Sequence, residues 1–151
     1  MRLARFLAMA GVASRRASEE LIRDGKIIVN GDKCTEVATN VEPGEDTVIY
    51  KGRKLHVKKH IYYAMNKPVG YACTAKDPHE KKTIFNLLPK KERLFSVGRL
   101  DKNSEGLLLI TNDGDFANKL MHPKYELEKR YRVYVTGQIV NREINDVSRN
   151  G

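Results

Sequence analysis

The run GRLDKNSEGLLLITNDG, residues 98–114, constrains the fold of this 151-residue chain more than any other stretch. It starts just after one apolar run, residues 94–97, and contains a second, residues 107–111, with a polar turn closed by Gly106 between them. Short apolar runs bounded by turn residues read as strands, so the segment predicts a strand pair with one acid, Asp101, in the connection. A carboxylate held at the mouth of a sheet by two rigid strands, with Arg99 beside it, suits a nucleophile or a general base. A second reading stands beside the first on this segment alone: Asp101 as a turn former that bonds its own backbone. A calcium loop fits poorly. Asp101, Asn103, Glu105 and Gly106 have its spacing, but the terminal ligand position falls on Asn112 rather than a glutamate, and the flanks read as strands.

The rest of the chain reads as α+β. Leu3, Phe6, Leu7 and Ala10 recur at helical spacing and Gly11 ends that helix. Ser14 can cap a second helix with Ala17, Leu21 and Ile22 on its inner face, an i,i+4 pair of Glu19 and Arg23, and a stop at Gly25. An apolar run at 27–29, the Asn30-Gly31 turn and residues 34–37 predict a hairpin, and Pro43-Gly44 precedes a strand at 47–50. These elements form a module of residues 1–50, followed by a basic linker, KGRKLHVKKH, at 51–60 and a second unit at 61–151. Strands are expected there at 61–65 and 69–74, broken by Asn66-Lys67-Pro68, with an exposed loop at 77–82. Short helices are expected at 83–88, stopped by Pro89, and at 116–121. Tyr131, Val133 and Val135 alternate with charged or aromatic residues, which is strand periodicity.

Charge narrows the partners. The net charge is +9, and both halves contribute: residues 1–60 carry 12 basic and 8 acidic side chains, residues 61–151 carry 16 and 11. A polyanion, nucleic acid first, is the natural partner, against the plainer reading of a well-solvated surface. Arg2, Arg5, Arg15, Arg16, Arg23 and Lys26 crowd the two N-terminal helices and their turn. A helix N-terminus offers free N–H groups to a phosphate, and Arg15 and Arg16 sit there. The two cysteines, Cys34 and Cys73, are far apart and argue against a disulfide scaffold or zinc site, which fits a reducing cytoplasm. MRLARFLAMAGVASRR has a superficial likeness to a signal peptide, but its uncharged run is short and it reads as a folded helix. No segment is long enough to span a membrane, and His56, His60, His79 and His122 are given no role.

Residues 2–48, with the AGVASRR turn and the VNG hairpin, closely resemble the αL RNA-binding module of ribosomal protein S-four and several RNA-modifying enzymes. That resemblance implies binding of structured RNA through Arg2, Arg5, Ser14, Arg15, Arg16 and Lys26. NKPVG at 66–70, GRLDKNSEGLLLIT at 98–111 and KRYRVYV at 129–135 occur in the order seen in ribosomal RNA pseudouridine synthases, and the chain resembles the RsuA-like family. The resemblance implies a two-helix module with a small antiparallel sheet, then the first part of a mainly antiparallel mixed-sheet pseudouridine synthase domain. It implies a uridine isomerase: Asp101 acting on a uridine flipped from its stack, Arg99 supporting the flipped state, and Tyr131 stacking on the base. For Tyr131 ordinary strand packing competes, Lys67 and Pro68 match a mainly structural motif beside the catalytic loop, and Lys129 contacts phosphate or is merely solvated. Whether Asp101 attacks the sugar or removes a proton stays open.

The implied reaction breaks the N1–C1′ bond, turns the base and rejoins it through C5, with no metal or other cofactor. The partner is ribosomal RNA, 23S being preferred to 16S on overall similarity. Family members continue into a further motif supplying a basic partner for the aspartate and an apolar residue against the base. Neither is found here, so the chain is expected to be C-terminally truncated, to bind RNA, and to turn over weakly or not at all alone. The reading from another class is a non-catalytic RNA-binding or ribosome-assembly protein.

Overall fold

The computed structural model describes residues 1–74, 80–89 and 92–137. Helix α1 (Leu3–Met9) and helix α2 (Arg15–Arg23) lie over an antiparallel sheet of β1 (Ile27–Val29), β2 (Asp32–Cys34), β3 (Val48–Tyr50) and β4 (Arg53–Lys54), in the order β2-β1-β3-β4. The expected cap forms: the Ser14 hydroxyl accepts from the Ala17 amide at 3.2 Å and supplies one of the partners that a helix start lacks. Leu3, Phe6, Leu7, Ile22, Ile27 and Val48 close the first core. The inner face of α2 differs by one residue from expectation, because Ser18 rather than Ala17 is buried with Ile22. Its hydroxyl is enclosed with no hydrogen-bond partner among the described residues.

The hairpin turn works as its residues dictate. Asn30 and Gly31 both have positive φ, 53° and 98°, as a two-residue turn matching strand twist requires. The Asn30 side chain then accepts from the Thr47 amide at 2.8 Å and donates to Asp46 at 2.7 Å. The second hairpin strand starts earlier than expected, at Asp32, because a two-residue turn pairs Val29 with Asp32 directly. The stretch 51–60, expected as linker, is partly built into this unit. Arg53 and Lys54 pair with β3, and Leu55 and Val57 pack against the first core.

The second unit is an antiparallel sheet of β5 (Tyr62–Lys67), β6 (Phe95–Val97) and β7 (Gly106–Thr111), ordered β5-β7-β6. Alternation places Leu108 and Ile110 of β7 and Tyr63 and Met65 of β5 on the inner face, closed by Ile84 and Leu94. The strand expected at 69–74 is absent: only Ala72 makes an isolated bridge, to Thr83, since Gly70 at φ 88° turns the chain away after Pro68. The helix expected at 83–88 is a 3₁₀ turn at Ile84–Leu87, and Thr83 and Asn86 satisfy each other's ends. Helix α3 (Gly114–Met121) follows β7, capped by Asp113. The loop expected at 77–82 and the polar end after Gly137 lie largely outside the described residues.

Candidate active site and RNA-binding face

Sheet register builds the Asp101 loop. Lys67 pairs with Gly106 across β5 and β7, and Val97 pairs with Leu109 across β6 and β7, so residues 98–105 span the end of the sheet. Gly98 and Gly106, at φ 81° and 131°, bracket the span in backbone conformations that a side chain would strain. The chain between them is tied from several sides. Gly98 N–H meets the Met121 sulfur at 2.9 Å, Leu100 N–H meets the Cys73 sulfur at 3.5 Å, and Ser104 N–H donates to the Asp101 carbonyl at 3.1 Å.

The central anchor is Lys67. Its side chain is fully buried, and its Nζ donates to the carbonyls of Ser104 at 2.7 Å, Pro68 at 3.1 Å and Lys102 at 3.3 Å. Three N–H donors of an ammonium thus meet three carbonyl oxygens, as a buried charge without a carboxylate requires. Gly70 N–H also donates to the Lys102 carbonyl at 2.7 Å. Outside the loop, the Lys102 ammonium is held by both oxygens of Glu80 at 3.0 and 2.9 Å. The sequence marks Lys67 as packing beside this loop; what it misses is that the ammonium grips the backbone on the C-terminal side of Asp101. The signal is present in the sequence, because β5 alternation puts Tyr63, Met65 and then Lys67 on the inner face.

Asp101 and Arg99 stand on this fixed backbone with exposed side chains, and neither has a side-chain hydrogen bond or ion pair among the described residues. The loop therefore fixes the backbone, while the carboxylate itself stays exposed and unpartnered among the described residues.

The structure does not bring Tyr131 to them. Beyond Glu126, residues 127–136 form no regular structure, and Tyr131 is 68% exposed without a ring contact to the Asp101 loop. The strand expected at Tyr131, Val133 and Val135 is thus absent from the described residues. Alternation supplies one apolar face, but a strand also needs a neighbouring edge to pair its backbone, and the described backbone of this segment finds none.

On the first unit, Arg15 and Arg16 lie exposed at the start of α2 without an acidic partner among the described residues. The other expected RNA contacts are engaged. Arg2 donates to the Ala38 carbonyl, Arg5 pairs with Asp115, and Lys26 pairs with Asp24 at 2.7 Å, which raises the lysine's pKa through that hydrogen bond. A groove of about 390 Å³ runs between Arg2, Arg15, Glu19 and residues 36–38.

The model of the family described as RNA pseudouridylate synthase matches residues 61–150, well over half the chain. The chain belongs to that family. An S4 domain model matches residues 1–47. Ribosomal large subunit pseudouridine synthase B of Bacillus subtilis is 45% identical over 90% of this chain and 56% of its own length. An uncharacterized RNA pseudouridine synthase of Aquifex aeolicus is 42% identical over 92% of this chain and 57% of its own. A chloroplastic protein of Arabidopsis thaliana, provisionally named as a large-subunit pseudouridine synthase, is 44% identical over 97% of this chain and 39% of its own. The chain thus spans about half the length of the curated relatives it matches. A solved structure described as a pseudouridylate synthase aligns at 26% identity with a TM-score of 0.44, covering 83% of this chain and 54% of that one, a level that adds nothing to the family match.

Proposed function

We propose that this protein isomerises a uridine of ribosomal RNA to pseudouridine, with Asp101 as the acting carboxylate. The observation that carries the reading is the Asp101 loop, in which a buried lysine fixes the backbone while the carboxylate stays unpartnered among the described residues. The loop lies inside the segment that matches the RNA pseudouridylate synthase family. Isomerisation breaks the N1–C1′ bond and forms C5–C1′, so C5 loses its hydrogen. A flipped uridine meets a carboxylate carried on backbone that is already fixed, and ordering part of the site before reaction limits the entropy cost of the step.

In this reading Arg99 supports the extruded nucleotide, and Arg15 and Arg16, with Arg2, Ser14 and Lys26 around them, hold the RNA. The large-subunit names of the Bacillus subtilis and Arabidopsis thaliana relatives favour large-subunit RNA. We place the reaction in the cytoplasm, on the strength of two unpaired cysteines. One observation favours the non-catalytic alternative: Tyr131, the residue expected to stack on the base, is 68% exposed in a segment without regular structure.

The test is genetic. Ribosomal RNA from a strain lacking the complete gene is mapped for pseudouridine, and the wild-type gene is compared with Asp101→Ala. One site should vanish on deletion and return only with Asp101 present. Its return with Asp101→Ala would leave the binding reading standing.

A further inference from the structure

We propose that Arg5 is a positioning residue that registers the RNA-binding unit against the domain carrying Asp101, rather than an RNA contact. The proposal rests on the reading above for its consequence, not for its geometry. The Arg5 guanidinium meets the Asp115 carboxylate, 110 residues later, in the first turn of α3. Both partners stand on fixed elements. Arg5 lies between Ala4 and Phe6 on α1, whose other face (Leu3, Ala4, Phe6 and Leu7) is buried in the first core. Asp115 follows the cap residue Asp113, and the next residue, Phe116, packs edge-on against Tyr62 with ring centroids 5.1 Å apart. A carboxylate in the first turn of a helix is itself favoured by the helix dipole.

Two further residues, Lys58 and Asn112, constrain the same junction. Lys58 bridges it: its amide donates to the Met9 carbonyl at the end of α1 at 3.2 Å, and its ammonium holds Glu92 at 2.6 Å. The Asn112 side chain then clamps the chain leaving the first unit, donating to the Lys59 carbonyl at 2.9 Å and accepting from the Ile61 amide at 2.8 Å. These contacts hold the end of α1 near the second unit. The Arg5–Asp115 pair adds a second point along α1 and so fixes rotation of the helix as well as its distance. With rotation fixed, Arg15 and Arg16 lie at a set separation from Asp101. The protein then reaches uridines at one spacing from the RNA element it grips, which makes the pair a determinant of specificity.

Asp115→Asn separates this proposal from its rival. A clamp predicts that Asp115→Asn and Arg5→Gln act alike: modification of intact ribosomal RNA falls about two- to fivefold in kcat/KM, the range expected for one exposed ion pair. Equilibrium RNA binding keeps its salt slope in both. The exchange of charges, Arg5→Asp with Asp115→Arg, restores the rate. An RNA contact predicts the opposite: Arg5→Gln lowers the salt slope by about 0.9, and Asp115→Asn tightens binding by releasing the arginine. Either of those results overturns the proposal. Paired spin labels at exposed positions 20 and 119, introduced as unnatural amino acids, report the geometry without any activity. The distance distribution should be narrow in wild type and the exchanged pair, and broad in each single variant. An unchanged distribution in the single variants overturns the proposal, whereas a narrow-to-broad change in an inactive protein rejects only the functional reading.

Discussion

Replacing Lys67 by methionine removes an ammonium and its three hydrogen bonds while roughly keeping side-chain length in a fully buried site. The magnitude follows from what each carbonyl retains. The Lys102 carbonyl keeps the Gly70 amide at 2.7 Å. The carbonyls of Ser104 and Pro68 have no other donor among the described residues. Two orphaned acceptors cost about 1–3 kcal/mol each when fully buried. Both residues are half-buried, so water can reach part of this loop and the lower end applies, giving about 2–3 kcal/mol for the pair. Methionine leaves no unpaired charge behind, so no further penalty of that kind is added. Urea unfolding of the second unit, followed by its tyrosine signal, should show this loss. RNA affinity, which the proposal assigns to Arg15 and Arg16, should hold, while isomerisation should fall because the loop under Asp101 has lost its internal tie. A variant within about 0.5 kcal/mol of wild type, below the net worth of even one ordinary hydrogen bond, and fully active would refute the reasoning.

Three further outcomes are expected. Asp113 caps α3 through the amides of Asp115 and Phe116 and accepts from Tyr62 at 2.8 Å; burial pushes its carboxyl up, but the Phe116 amide, Tyr62, nearby His60 and the Asp115 amide outweigh it and hold the pKa below the ordinary value. A depressed carboxylate stabilises the fold above its unfolded pKa and loses that contribution as pH falls through the folded value. Tyr62→Phe keeps the ring against Phe116 but removes one donor, so acid unfolding followed by circular dichroism should begin at higher pH; an unmoved midpoint contradicts this. Ser18→Ala removes an enclosed, unpartnered hydroxyl and introduces a better helix former, so chemical denaturation should show a gain of about 1 kcal/mol; a loss would mean that the hydroxyl has a partner. Replacing Arg15 and Arg16 together should weaken RNA binding and flatten its salt dependence by about 0.9 log units for each phosphate no longer neutralised, and an unchanged slope would make their charge mere solvation.

Whatever local chemistry decides is legible in the sequence. Asn30-Gly31 demands a two-residue turn, Ser14 a cap, and the alternation through Leu108 and Ile110 a half-buried strand; each forms in the fold. The Asp101 turn falls between its two strands as expected because both flanks carry strong apolar runs. Misreadings come where pairing rather than pattern decides. Arg53 and Lys54 look like linker residues, yet they complete an edge of the first sheet, where polar side chains are expected. Tyr131, Val133 and Val135 have the period of a strand but no partner edge among the described residues. Contacts between distant charges, such as Arg5 with Asp115 or Lys102 with Glu80, leave no trace in spacing at all. Lys67 falls between these cases: its inward place is readable from β5, but its three carbonyl partners belong to loops that only the folded chain brings together.

The central claim, that Asp101 on its anchored loop isomerises uridine, is tested most directly by tritium release from ribosomal RNA labelled at uridine C5. The complete gene product is compared with its Asp101→Ala variant, and RNA affinity is measured alongside. The account predicts release by the wild type, none above background by the variant, and affinities that agree within about twofold, less than 0.5 kcal/mol. Equal release by both proteins would contradict it and remove Asp101 from the chemistry.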